Sequence, residues 1–202
     1  MCKLLPNVAL PVVFPHNCVV AVGLPSSQAS FDHSAEASAD AYASQFIGGW
    51  AQYRVQWMQP LEHFSRVFRS LGVVFLPDVT LESLAESFAD PAVSAIVLVS
   101  HWGDSAIELA NGFVSVDQVV EIVPIDFKGV FDLCVCHPNG LATELGRHRP
   151  NCLVRFTPKS VRPLWWLAYF EGFFQMLSTG KLNYLQAFEA LNLELAKRIK
   201  LK

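Results

Sequence analysis

Ala95-Ile96-Val97-Leu98-Val99-Ser100-His101 and, further along, Val130-Phe131-Asp132-Leu133-Cys134-Val135-Cys136 are two short apolar runs, and each ends in a residue that can do chemistry. Runs this short and this apolar, broken only by Asp132 in the second, suit strands buried on both faces, as in a parallel sheet with helices above and below. The segments around them alternate between a period of two and a period of three to four, so strands alternate with helices. An α/β fold follows.

Working outward, Val19 to Leu24 is another buried strand, closed by Pro25 and two serines, and Ala35, Ala39, Tyr42, Ala43 and Phe46 recur at helical spacing until Gly48-Gly49. Tyr53, Val55 and Trp57 alternate with Arg54 and Gln56, which predicts a second strand. Pro60 then opens a helix with an inner stripe of Leu61, Phe64, Phe68 and Leu71. After the apolar Val73 to Leu76, Thr80 is placed to cap a helix carrying Leu81, Leu84, Ala85 and Phe88, which Asp90-Pro91 closes. Ala95 to Val99 is the third strand. Ile107, Leu109, the Asn111-Gly112 turn and Val114 predict a small hairpin, with Ser115 capping a short helix through Val119, Val120 and Val123. Val130 to Cys136 is the fourth core strand, Gly140 to Arg149 a short helix and Cys152 to Phe156 a further strand. Pro163 starts a long apolar helix ended by Gly180, and Leu182 to Lys200 forms the last helix, its cationic residues in the final turns where the dipole favours them. No repeat or linker interrupts residues 1–202, so a single domain is expected.

Composition narrows the function. Of the 202 residues 52% are hydrophobic and only 16% charged, so part of the surface is expected to be covered by a protein partner or a second copy of the chain. A formal charge of −3, with basic residues clustered only in the short Lys197-Arg198 and Lys200-Lys202 tail, supplies no phosphate-binding stripe; nucleic acid is not expected as a partner. The N-terminal stretch has no secretory pattern, and Leu164 to Leu177 is too short for the roughly 20 residues of a membrane span. A soluble, cytoplasmic protein is expected. Five cysteines, widely spread and odd in number, argue against a disulfide framework.

Beyond the carboxyl ends of parallel strands, loops hold side chains over the sheet edge, and this is where His101 and Cys136 fall. If their strands are neighbours, imidazole and thiol meet there, and a thiol activated by histidine is suited to acyl transfer. Cys134, two residues back, shares a face with Cys136 and is the alternative nucleophile. Cys134, Cys136, His137 and His101 also suggest a metal cluster, but Cys-Val-Cys-His is tighter than zinc spacing, so neither metal nor cofactor is expected. Neither glycine-rich nucleotide motif occurs. The aromatic cluster Trp165, Trp166, Tyr169, Phe170, Phe173 and Phe174 reads as core or interface.

Several of these segments, in order, resemble the CHAT group of caspase-like cysteine peptidases, relatives of caspases and separase. They are Thr80-Leu81-Glu82-Ser83-Leu84, Val97-Leu98-Val99-Ser100-His101, Ile107-Glu108-Leu109-Ala110-Asn111-Gly112, Leu133-Cys134-Val135-Cys136 and Phe173 to Leu182, followed by Gln186-Ala187-Phe188 and Ala190. The resemblance implies a caspase-like three-layer sandwich with helices on both faces of a mainly parallel sheet. It implies a His101/Cys136 dyad that cleaves a protein or peptide substrate, in bacterial regulated proteolysis or defence, under control of a partner or of processing. It also implies that Cys134 lines the pocket for the residue before the cut. Asp132 and Asp104 are candidates for making that pocket favour Lys or Arg. The family places Gly directly after the catalytic His; here Trp102 intervenes, so the candidate oxyanion donors are the N–H groups of Gly103 and Cys136. The rival reading is a catalytically inactive interaction module of the same fold.

Overall fold

The structure is a computed structural model that describes residues 13–37, 42, 45–103, 106–157 and 159–200. Cys2, Ala39, Ala43 and Asp104 lie outside the described residues. In chain order the strands are β1 (Cys18–Val22), β2 (Val74–Leu76), β3 (Ala95–Val99), β4 (Trp102–Gly103), β5 (Ala106–Leu109), β6 (Gly112–Ser115), β7 (Val130–Cys134) and β8 (Leu153–Phe156). The helices are α1 (Gln28–Ala37), α2 (Gly49–Tyr53), α3 (Gln59–Ser70), α4 (Leu81–Ala89), α5 (Val116–Ile122), α6 (Asn139–His148), α7 (Pro163–Leu177) and α8 (Tyr184–Lys200).

A five-stranded sheet in the order β2-β1-β3-β7-β8, parallel throughout, forms the middle layer of an α/β sandwich. Every residue of β1, β3 and β7 is buried, which is why these strands read as apolar runs, broken only by Asp132 in β7. Their side chains alternate between two cores. One face carries Val20, Val22, Val97, Val99 and Val130 against Phe68, Phe170, Phe173, Phe174 and Tyr184 of α3, α7 and α8. The other carries Val19, Ala21, Ile96, Leu98, Phe131 and Leu133 against Leu84, Val119, Val123, Leu141 and Leu145 of α4 to α6 and their flanks. Burying each of the phenylalanines on α7 is worth about 2 kcal/mol. The aromatic cluster is therefore mainly core, with Trp165 left half exposed.

The chain passes from β1 to β2 over the α3 face, then returns through α4 on the opposite face to β3, and continues through α5 and α6 to β7 and β8. Moving one way along the sheet on one face and the other way on the second is what right-handed crossovers require.

Both expected caps form. Thr80 Oγ1 accepts from Ser83 N at 3.2 Å while Ser83 Oγ accepts from Thr80 N at 2.9 Å, and Ser115 and Gln118 make the same reciprocal pair. The expected hairpin also forms, widened by β4 into a three-stranded antiparallel sheet.

The strand expected at 53–57 is helical. Gly49–Tyr53 runs through a π-helical turn, Arg54–Met58, into α3. Tyr53 and Trp57 are four residues apart, share a helical face and are buried, whereas Val55 is 56% exposed. Three alternating residues fit either period, and only the burial of Val55 would have separated them. Pro60 has no N–H to give and crowds the carbonyl four residues back; the wider turn ahead of it accommodates that gap. The second strand in chain order is instead the short β2, and the fourth core strand stops at Cys134, two residues earlier than expected.

Candidate active site

In this strand order the connections leave β1 and β3 in opposite directions, so the switch point of the sheet lies between them. There, beyond the carboxyl ends of the strands, open α/β sheets form their binding crevice. Gly23 N donates to Val99 O at 3.0 Å, continuing the pairing one residue past β1.

β3 and β7 are adjacent and parallel, registered as Val99 opposite Cys134. His101 and Cys136 each follow two residues later, so both chains leave the same sheet edge side by side. Ser100 N donates to Cys134 O at 3.4 Å, extending the register toward them. His101 is half-buried, and burial holds its imidazole below the ordinary histidine range, favouring the neutral ring that a general base requires. Its ring lies 6.2 Å from that of Tyr42, edge-on. Cys136 is half-buried as a thiol. Immediately after it His137 takes a left-handed conformation, φ 50°, uncommon for a residue with a side chain and a mark of a sharp, constrained turn. The ring of His137 is tied through Nε2 to Ser160 Oγ at 2.9 Å, joining the loops that follow β7 and β8. α6 begins at Asn139, so Cys136 occupies a strand-turn-helix junction.

Of the other expected residues, Cys134 is buried on the core face that also holds Val99 and Tyr42. Gly103 lies in β4 opposite Ala106, in the hairpin pairing. Asp132, expected at the substrate pocket, is instead mid-strand in the core. Arg155 Nε donates to both of its oxygens, at 2.8 and 2.7 Å, and Tyr184 OH donates at 2.6 Å. The guanidinium lies 3.7 Å above the Phe188 ring. A buried carboxylate needs a partner, and Arg155 on the neighbouring strand supplies it, so Asp132 is committed to the core and is not offered to a substrate.

One group escaped the sequence reading. Glu108, in the middle of β5, is 1% exposed, and its carboxyl accepts hydrogen bonds from Ser34 Oγ and Tyr42 OH. Burial pushes it up to about 7, the two hydroxyl donors opposing that rise. Its backbone is equally engaged: Glu108 N donates to His101 O at 3.0 Å, and Ser100 Oγ donates to Glu108 O. Gly23 is needed beneath it, because a Cβ there would come within 2.5 Å of Glu108 O. Tyr53 OH donates to Pro25 O at 2.7 Å, closing the cluster from α2.

On the same sheet edge, next to β1 and β2, a cavity of about 460 Å3 is lined by Ser26, Met58, Leu61, Phe75 and Asp78 among others. Among the described residues, no three His, Cys, Asp or Glu side chains gather into a metal-holding group, and no helix is long and apolar enough to cross a membrane. In comparison with known proteins, no family model and no curated sequence matches the chain.

Proposed function

We propose that this chain is a caspase-like cysteine endopeptidase whose catalytic dyad is His101 and Cys136. The observation that carries the reading is the register of β3 on β7, which sends a histidine and a cysteine off neighbouring strands at the carboxyl edge of a parallel sheet. In the mechanism, neutral His101 takes the proton of Cys136, and the thiolate attacks the scissile carbonyl carbon, forming the C–S bond. The N–H of Cys136, with that of Gly103, stabilises the oxyanion. His101 then gives its proton to the leaving amine as the C–N bond breaks, and water, activated by the same ring, releases the acid and restores the thiol. No cofactor enters. The cavity beside β1 and β2 supports a peptide lying along this edge, and control by a protein partner in the cytoplasm suits the low charge content.

A second reading, an inactive interaction module of the same fold, is favoured by Trp102 directly after His101, with Gly103 held in the β4–β5 pairing. A thiol-reactive peptide probe separates the two. The peptidase labels at Cys136, and His101→Ala removes the labelling. Labelling that is absent, or indifferent to His101, favours the inactive module.

A further inference from the structure

We propose that Glu108 is a positioning residue for His101, acting through Tyr42; the inference rests on the dyad reading of the site. A carboxyl group buried to 1% exposure is costly, and here no cation is among the groups that hold it; its donors are the hydroxyls of Ser34 and Tyr42. A glutamine or an apolar residue would fill this place in the core at less cost. What the carboxyl provides is two acceptor oxygens at one point, drawing α1 through Ser34, and Tyr42, toward the switch point of the sheet.

The Tyr42 ring held in this way stands edge-on to the imidazole of His101 and forms one wall of its site. The second attachment is a backbone hydrogen bond: the same residue donates its own N–H to the carbonyl of His101 and so fixes the backbone that carries the imidazole. Ser100 Oγ and the close approach over Gly23 pin the Glu108 backbone in turn. One residue thus sets both the chain position and the ring contact of His101, while touching neither substrate nor thiol in the proposed reaction. The groups facing its carboxyl are Ser34 from α1 and Tyr42; Tyr53 from α2 feels its charge, and Asp78, after β2, acts in turn on Tyr53.

The test uses the full chain and two readouts: the rate at which a thiol-reactive peptide probe labels Cys136, and the imidazole resonances of the six histidines. Glu108→Ala removes both acceptors and is expected to slow labelling on the order of 10- to 100-fold, the loss that a small misplacement of a reacting group causes. It is expected to move the His101 resonance while His16, His63, His137 and His148, on elements the Glu108 carboxyl does not hold, keep theirs. Glu108→Gln retains a carbonyl oxygen for Tyr42 and recovers most of the rate. Tyr42→Phe keeps the ring, loses the anchor and moves His101 in the same sense, which covers the case in which Glu108→Ala does not fold. The proposal is overturned if the His101 resonance is unmoved in Glu108→Ala and Tyr42→Phe, or if all six histidines shift together. Should the wild-type chain not label at all, the dyad reading fails, and the His101 resonance alone still decides the role of Glu108.

Discussion

Replacing Glu108 by glutamine should make the protein more stable at pH 8 and leave it nearly unchanged at pH 5. In the folded chain the carboxyl is raised from an ordinary 4.5 to about 7, because burial penalises its ionised form. Below pH 4.5 both folded and unfolded chains carry the proton and nothing is lost. Between 4.5 and 7 the unfolded chain releases its proton while the folded chain keeps it, so stability falls as pH rises, and above 7 the full cost is present. At about 1.4 kcal/mol for each pH unit of the displacement, that cost is about 3 kcal/mol. His101 works in the opposite direction, because burial lowers its proton affinity: stability is lost as pH falls below the ordinary histidine value of 6.5. Glutamine at 108 leaves His101 in place, so the difference between wild type and variant isolates Glu108. The assay is urea unfolding followed by tryptophan fluorescence at pH 5, 6, 7 and 8. The variant should exceed wild type by less than about 1 kcal/mol at pH 5 and by about 3 kcal/mol at pH 8. A difference that stays flat across this range would refute the buried, hydroxyl-held carboxyl.

Asp132→Ala strands the Arg155 guanidinium in the core and should cost about 3 to 5 kcal/mol in urea unfolding. Gly23→Ala drives a methyl group into Glu108 O and should destabilise by about 1 to 3 kcal/mol, with the loss concentrated in exchange protection of the β5 amides. Phe174→Ala, at a fully buried position on α7, should cost about 3 to 5 kcal/mol by the same measurement. On the proposed mechanism Cys136→Ala should abolish peptide cleavage, because removing the attacking atom forbids the acyl-enzyme, while Cys134→Ala, which trims a buried core side chain, should leave turnover within about tenfold.

Legibility in the sequence followed burial. Strands such as Ala95 to Val99, shielded on both faces, are written almost wholly in apolar residues, and caps such as Thr80 and Ser115 carry a local hydrogen-bond pattern, so both were evident without a structure. Tyr53-Arg54-Val55-Gln56-Trp57 was misread because its polarity pattern is shorter than one repeat of either period and its π turn answers to Pro60, a few residues away. Asp132 was misplaced for a different reason: its partner Arg155 lies on the next strand and Tyr184 on the last helix, and no local spacing announces a pair formed across a sheet. Glu108 stayed hidden because an acidic residue between Ile107 and Leu109 reads as the outward side of a hairpin. It is buried only because that hairpin lies over the end of β1, at Gly23, with Ser34 and Tyr42 closing above it. His101 and Cys136 were visible as strand-end residues, while their neighbourhood depended on the strand order, which composition does not encode.

The most direct measurement of the proposed dyad is to alkylate its thiol with a peptidyl acyloxymethyl ketone, which loses its carboxylate as the C–S bond forms, and to locate the thioether adduct by mass spectrometry. The expected result is a single adduct on Cys136 that His101→Ala eliminates. An adduct on Cys134 would move the nucleophile by two residues, and an absence of adduct on either cysteine, in a folded protein, would contradict the proposed activity.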